Sequence, residues 1–242
     1  MKIIDATWEK RNLGVSCTEV IVEDGDDYQL VERKLIELNS NYMVVKIPIK
    51  RLDFAQMLSN NNFTCVETLF ELKYTLNDSK TVKDLKYSIL YSQMNEGDIE
   101  NLYNQIERGM FNSDRVFLDH HFTKKQAFNR YVGWVKDELE MGSSLFKNIY
   151  NGDQIGFFGV KKKEKGVFHQ FLVGMYPEYQ KKGMGASLVM NAIDYAREQG
   201  GSFFSTTVSS NNLPSLKLHL SCGLLPDSAC YVYTKFNVGK GS

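Results

Sequence analysis

Long apolar runs, an excess of charge and closely spaced cysteines are all missing from this chain. No stretch approaches the roughly 18 consecutive apolar residues that read as a membrane-spanning helix. Lys and Arg together number 29, as do Asp and Glu, so charge favours neither nucleic acid nor an anionic membrane as partner. The four cysteines, Cys17, Cys65, Cys222 and Cys230, form no Cys-x-x-Cys pair, which argues against a zinc site or a redox couple. The opening stretch MKIIDATWEKRN turns polar before a signal-peptide core can form. No Gly-x-x-x-x-Gly-Lys-Ser/Thr loop, internal repeat or low-complexity tract is found. These absences predict a soluble, cytoplasmic protein in a reduced compartment, with no metal.

What is present is 242 residues, 43% of them apolar, enough for one large or two small packed domains. Before about residue 80 the pattern is a small α/β unit. GVSCTEVIV, YMVVKIPI and FTCVETLFELKY read as strands. DDYQLVERKLIEL, with Leu30, Lys34, Leu35 and Leu38 at helical spacing, and RLDFAQMLSNN read as helices. The polar segment TLNDSKTVKDLK serves as a linker, giving an expected boundary between 1–80 and 81–242.

The second part has more signals. GDIENLYNQIERGMF and TKKQAFNRYVGWVKDELEMG read as helices, the latter capped by Thr123 and ended by Gly142. Three strands follow, joined by the turns NGD and KKKEKG. Lys161, Lys162, Lys163 and Lys165 in the second turn are read as solvated, with contact to a ligand phosphate as the alternative. Next come a helix from Met184 to Gly200, the strand SFFSTTVSS, the helix LPSLKLHLSC and the strand CYVYTKFNV.

The turn QKKGMG, between the strand ending near Met175 and the helix, carries the chemistry. Gly183 and Gly185 let backbone approach an anion, and the helix start offers unpaired amides and the positive end of its dipole. A tight strand-to-helix turn explains the same glycines. The run lacks the Gly-x-Gly-x-x-Gly of dinucleotide sites.

MYPEYQKKGMG resembles the pyrophosphate loop of the GNAT (GCN5-related) acetyltransferase superfamily, and SSNNLPSLKLHLSCGLL resembles its later Asn-x-x-Ala-x-x-Leu-Tyr block. The resemblance implies an α/β fold with a mixed, mostly antiparallel twisted sheet, flanking helices and a smaller N-terminal unit. Acetyl-CoA is the implied co-substrate. Its pyrophosphate would be held around Lys181, Lys182, Gly183, Met184, Gly185 and Ala186, with Gln180 shaping the turn. Amides near Gly174 and Met175 would polarise the thioester. Asn212 and Ser215 would meet the pantetheine arm, although Asn212 before Pro214 also reads as a helix cap.

His219 stands where the superfamily usually places the Tyr that protonates the leaving thiolate. It reads either as that acid or as a histidine packed on the helix face. His169, expected to share a face with Phe171, Val173 and Met175, is either a base-supporting residue or an ordinary half-buried strand histidine.

The layout as a whole resembles dTDP-fucosamine acetyltransferases, through Trp8 to Gly14, Leu58 to Thr68, FNSDRV before RYVGWV, and the terminal ACYVYTKF. That likeness implies an acetyltransferase acting on a dTDP-linked amino sugar in cell-surface polysaccharide synthesis. Arg115, Asp119, His120 and His121 would line the sugar site, unless they form only a polar loop at a helix end. Trp134 is expected in the core. The alternatives are another amine acceptor (a polyamine, antibiotic, amino acid or protein) or a non-catalytic acyl-CoA sensor. A homodimer is compatible with all of them.

Overall fold

The computed structural model describes residues 1–76 and 85–237. The expected boundary at residue 80, most of the expected linker and the final GKGS lie outside them. The described residues form ten strands in one sheet and eight helices. The strands are β1 (Lys2–Asp5), β2 (Cys17–Ile21), β3 (Tyr42–Pro48), β4 (Thr64–Thr75), β5 (Leu90–Gln93), β6 (Ser144–Tyr150), β7 (Asp153–Lys162), β8 (Val167–Met175), β9 (Phe203–Ser209) and β10 (Leu225–Phe236). Their order across the sheet is β1-β2-β3-β10-β4-β9-β8-β7-β6-β5. Only β2–β3 and β8–β9 are parallel, so the sheet is mixed and mostly antiparallel, as expected.

Helices cover both faces. On one face α2 (Tyr28–Glu37) and α3 (Leu52–Asn60) pack over β2 and β3, while α7 (Gly185–Glu198) and α8 (Leu213–Ser221) pack over β7–β9. On the other lie α1 (Thr7–Leu13), α4 (Glu96–Glu107), the single turn α5 (Arg115–Leu118) and α6 (Lys124–Glu140). Double coverage explains why Tyr42 to Val45 of β3 are all buried: Met43 and Val45 join the α2–α3 core, and Tyr42 and Val44 the α1–α6 core.

Most predicted elements stand where periodicity put them. Asp27 caps α2 by accepting from Leu30 N–H at 2.8 Å, but its buried positions are Val31 and Leu35 while Leu30 is exposed. Thr123 and Gln126 form a reciprocal capping box on α6, which ends before Gly142 at φ 84°. In α7, Met184, Leu188, Ala192 and Ala196 are buried with Val189 and Ile193, the four-residue spacing read from sequence. Both hairpin turns pair two left-handed residues, Asn151–Gly152 and Lys165–Gly166. Four short elements, β1, α1, β5 and α5, were not expected, and β10 begins five residues early, at Leu225.

Candidate active site

The loop between β8 and α7 shows why the glycines are there. Gln180 Nε2 donates to Met175 O at 3.0 Å, tying the loop back to the strand end. Lys181 at φ 62° and Gly183 at φ 80° then reverse the chain into α7. A Cβ on Gly183 would meet nothing nearer than Tyr87 at 3.9 Å, so conformation and not space selects glycine. Gly185 is the opposite case: a Cβ there would lie 3.1 Å from Leu218, where α8 crosses α7. Among the described residues no side chain caps α7, so the positive end of its dipole has no side-chain acceptor there. This uncapped 14-residue helix behind a glycine cradle fits a pyrophosphate. Met184 itself is buried against Ile155 and Leu188, leaving only its backbone for a ligand.

Beside this loop the sheet opens. The parallel pairing of β8 with β9 stops at Gln170–Thr206, whereas β8 stays on β7 as far as Met175. Thr206 Oγ1 donates to Gln170 O at 2.9 Å where the strands part. Tyr176 N–H bonds Ile155 O on β7, so by alternation Gly174 N–H also faces β7. The amides turned toward the gap are those of Val173 and Met175. Of Gly174 and Met175, whose amides are expected to polarise the thioester, only Met175 turns its N–H toward the gap. Gly174 instead provides room, since a Cβ there would sit 2.3 Å from Met110 Cε.

A bulge in β8 changes a second expectation. The β7–β8 register slips between Gly159 and Val160, opposite Leu172 and Gln170. Phe171 therefore shares the α6 side with His169, while Val173 and Met175 turn to the α7 side among Met184 and Leu188. Gly159 permits the bulge, because a Cβ there would lie 2.3 Å from the Phe171 ring.

Three polar residues meet at the gap. His219 is 1% exposed. Its Nδ1 lies 2.8 Å from Ser215 O, which can only accept, so Nδ1 carries the proton. Nε2 then accepts from Gln170 Nε2 at 3.0 Å, leaving Gln170 Oε1 buried without a partner among the described residues. Burial lowers the His219 pKa against the pull of the Ser215 bond. In this arrangement Nε2 holds a lone pair, so donating a proton to a thiolate requires the ring to be charged first. Asn212 caps α8, its Oδ1 accepting from Ser215 N–H at 3.1 Å, and both residues line the same cavity as His219.

That cavity, of about 980 Å³, runs from the gap along the α1–α6 face of the sheet. Burial, followed by Lys163 and Lys161, pushes the pKa of its His169 down to about 3; His169 Nδ1 meets Ser205 Oγ at 3.0 Å. Phe111, Tyr131, Trp134 and Phe171 run along the wall as successive ring contacts of 4.5, 6.3 and 6.2 Å between centroids. Trp134 is thus half-buried against the core while one side faces the cavity.

The cations on the wall are matched by carboxylates. Arg11 is bidentate to Asp137, at 2.9 and 2.8 Å, and Lys46 meets Glu19 at 2.8 Å. Arg130 binds Glu9 at 2.7 Å and Asp114 at 3.3 Å, while Arg115 lies 3.4 Å from Glu9 and 3.7 Å from Glu67. Glu67 is 5% exposed and accepts from Ser209 Oγ at 2.5 Å.

Of the expected acceptor residues only Arg115 lines this cavity. Asp119, His120 and His121 do not: α5 turns Arg115 inward and carries the next residues out toward β10. His121 stacks on Phe236 at 4.4 Å with its Nδ1 on Asp119, and the His120 side chain is 87% exposed. Glu9, Glu67, Arg130, Tyr131 and Gln170 were missed. Glu67 alone left a sequence signal, a charge inside the strand-like VETLF.

Comparison with known proteins adds the family. The profile described as the acetyltransferase (GNAT) family matches residues 99–224. An uncharacterized N-acetyltransferase of Methanocaldococcus jannaschii is 25% identical over 121 residues, 47% of this chain and 52% of the relative. An L-amino acid N-acyltransferase of Escherichia coli is 31% identical over 103 residues, 41% of this chain and 59% of the relative. The chain thus spans little more than half the length of these curated relatives. A GCN5-related N-acetyltransferase from Sphaerobacter thermophilus shares the fold at TM-score 0.68 and 11% identity, covering 97% of this chain and 75% of its own. A tandem GNAT protein from the clavulanic acid biosynthesis pathway does so at TM-score 0.59 and 10% identity, covering 94% and 79%.

Proposed function

The chain belongs to the acetyltransferase (GNAT) family, and from that membership we propose that it moves an acetyl group from acetyl-CoA to an amine held in the cavity, by direct attack in a ternary complex. The observation that carries this reading is continuity: the gap between β8 and β9 opens into the cavity beneath α6. Donor and acceptor can therefore meet without a covalent enzyme intermediate.

Each part of the site has a task. Backbone of Lys181 to Ala186, with Gln180 holding the turn, binds the pyrophosphate. The amides of Val173 and Met175 face the thioester carbonyl and polarise it. Asn212 and Ser215 flank the pantetheine arm. Bound acetyl-CoA supplies an activated acyl carbon; the amine nitrogen bonds to it, the C–S bond breaks, and one amine proton ends on the thiol. Glu67 is the acceptor available for a proton leaving the amine, while His169, held neutral by its burial, can offer a hydrogen bond but does not keep the proton. His219 serves the leaving group only as the imidazolium. A His219→Phe variant tests that: unchanged kcat across pH removes His219 from proton transfer.

The finer reading, a dTDP-linked amino-dideoxy sugar, is supported by Arg115 on the cavity wall, since a guanidinium suits a diphosphate. Against it stand the pairing of Arg115 with Glu9 and Glu67 and the distant placement of Asp119, His120 and His121.

CoA-thiol release from acetyl-CoA is the test, run against dTDP-amino sugars, amino acids, spermidine, lysine peptides and simple amines. Turnover of any amine supports the proposal. Binding of acetyl-CoA by calorimetry with no thiol release from any of them would sink it.

A further inference from the structure

Charge around the cavity restricts what can enter it. Among the described residues four cations lie on its wall, Arg11, Lys46, Arg115 and Arg130, and each faces at least one carboxylate. His169 and His219, both lowered in pKa by burial, add no positive charge near neutral pH. Among the described residues an incoming phosphate or carboxylate would find no uncommitted cation on this wall, and a buried charge without a partner is costly.

Glu67 is differently placed. Its short contact is with a neutral group, Ser209 Oγ at 2.5 Å, and its cation, Arg115, stands off at 3.7 Å. Ser209 ends β9 at the opening of the gap, on the cavity wall with Val173 and His219. Elsewhere the same cavity wall carries apolar side chains, among them Leu69, Val208, Leu172 and Phe171, whose ring lies 6.2 Å from that of Trp134. A buried carboxylate whose nearest cation stands off, in a cavity that also offers apolar wall, is complementary to an ammonium on a hydrocarbon body.

We infer that the acceptor is a small primary amine that enters as a single positive charge on an apolar body, carries no anionic group, and hydrogen-bonds through its ammonium to Glu67. This rests on the acetyl-transfer reading and narrows it. The ammonium gives one proton to the Glu67 carboxylate. The neutral nitrogen then forms the C–N bond as the C–S bond breaks, and its second proton passes to the thiolate, so the products are the amide, the thiol and a protonated Glu67 that returns its proton to water.

Matched amines that differ by one carboxylate test this directly: 2-phenylethylamine against phenylalanine, and pentylamine against norleucine, with a dTDP-4-amino-4,6-dideoxy sugar as a third class. With the full chain and saturating acetyl-CoA, each decarboxylated amine should show kcat/KM at least about tenfold above its amino acid. Glu67→Gln should raise the amine KM about tenfold or more while the KM for acetyl-CoA stays unchanged. Preference for the amino acids or the sugar nucleotide overturns the inference, as does a Glu67→Gln variant that keeps the wild-type amine KM.

Calorimetric titration of the wild-type protein, saturated with CoA, provides a readout that needs neither the variant nor turnover. Tighter binding of 2-phenylethylamine than of phenylalanine is expected; equal binding, or binding of neither, overturns the inference. Selective binding of the amine without any acetylation would leave this inference standing and reject the acetyl-transfer reading. Acetylation of amino acids alone would do the reverse.

Discussion

Replacing His169 with Gln should remove an acid-sensitive component from the stability of this protein. The imidazole is buried, and that burial, with Lys163 and Lys161, holds its pKa at about 3. In the unfolded chain it titrates near the ordinary value of about 6.5. Between those two values the unfolded state binds a proton that the native state refuses, so stability is full above about pH 6.5 and falls as the solution is acidified toward pH 3. Each pKa unit corresponds to about 1.36 kcal/mol, so the wild-type protein loses about 2 kcal/mol through this residue between pH 7.5 and pH 5. Gln keeps a hydrogen-bonding partner for Ser205 Oγ but cannot titrate. Urea unfolding at the two pH values measures the difference, and at a slope of about 2 kcal/mol per molar the wild-type midpoint should fall about 1 M further than that of the variant. Equal losses in the two proteins would show that His169 takes up its proton in the native state, and the burial argument would be refuted.

Other perturbations follow from the same structure. Glu9→Gln leaves Arg130 and Arg115 without their shared carboxylate and should cost about 3–5 kcal/mol, lowering Tm by roughly 10 °C in a calorimetric scan; a fall under about 3 °C would contradict the network. Gly183→Ala forces a side chain into φ 80°, at about 1–2 kcal/mol, and should weaken acetyl-CoA binding roughly 5- to 30-fold by titration calorimetry. An unchanged Kd would separate the loop from the ligand. Thr123→Ala removes half of the α6 capping box and should cost about 1 kcal/mol in urea unfolding while turnover is retained, since Thr123 lies at the helix start and off the cavity wall.

Much of this was legible in the sequence because the signals were local. The caps at Asp27 and Thr123, the turns at Gly152 and Gly166 and the four-residue spacing of α7 each depend on residues a few positions apart. The four missed elements span at most seven residues each, too few for a periodic pattern to stand out. The bulge in β8 was invisible for another reason. Strict alternation assigns Val173 to the face of His169, and only the register against β7 shows the slip. The site divides along the same line. The loop from Gln180 to Ala186 is contiguous and could be recognised, whereas Glu9, Glu67, Arg115 and Arg130 come together across more than a hundred residues. Asp119, His120 and His121 were drawn toward the site by adjacency to Arg115, which a one-turn helix does not preserve in space.

The position of β10 also bears on how the chain can fold. It is the last of the described strands in sequence, yet it lies between β3 and β4, pairing with Tyr42–Pro48 on one side and with Thr64–Lys73 on the other. Until residues 225–236 arrive, β3 and β4 each keep an unpaired edge, and the first 76 residues have no complete sheet of their own. These closures span more than 150 residues, a separation that slows folding and delays it until residues 225–236 have been made. A chain cut short of residue 225 would therefore lose more than one strand: it would expose two open edges in the middle of the sheet, a form inclined to aggregate before it could bind any ligand.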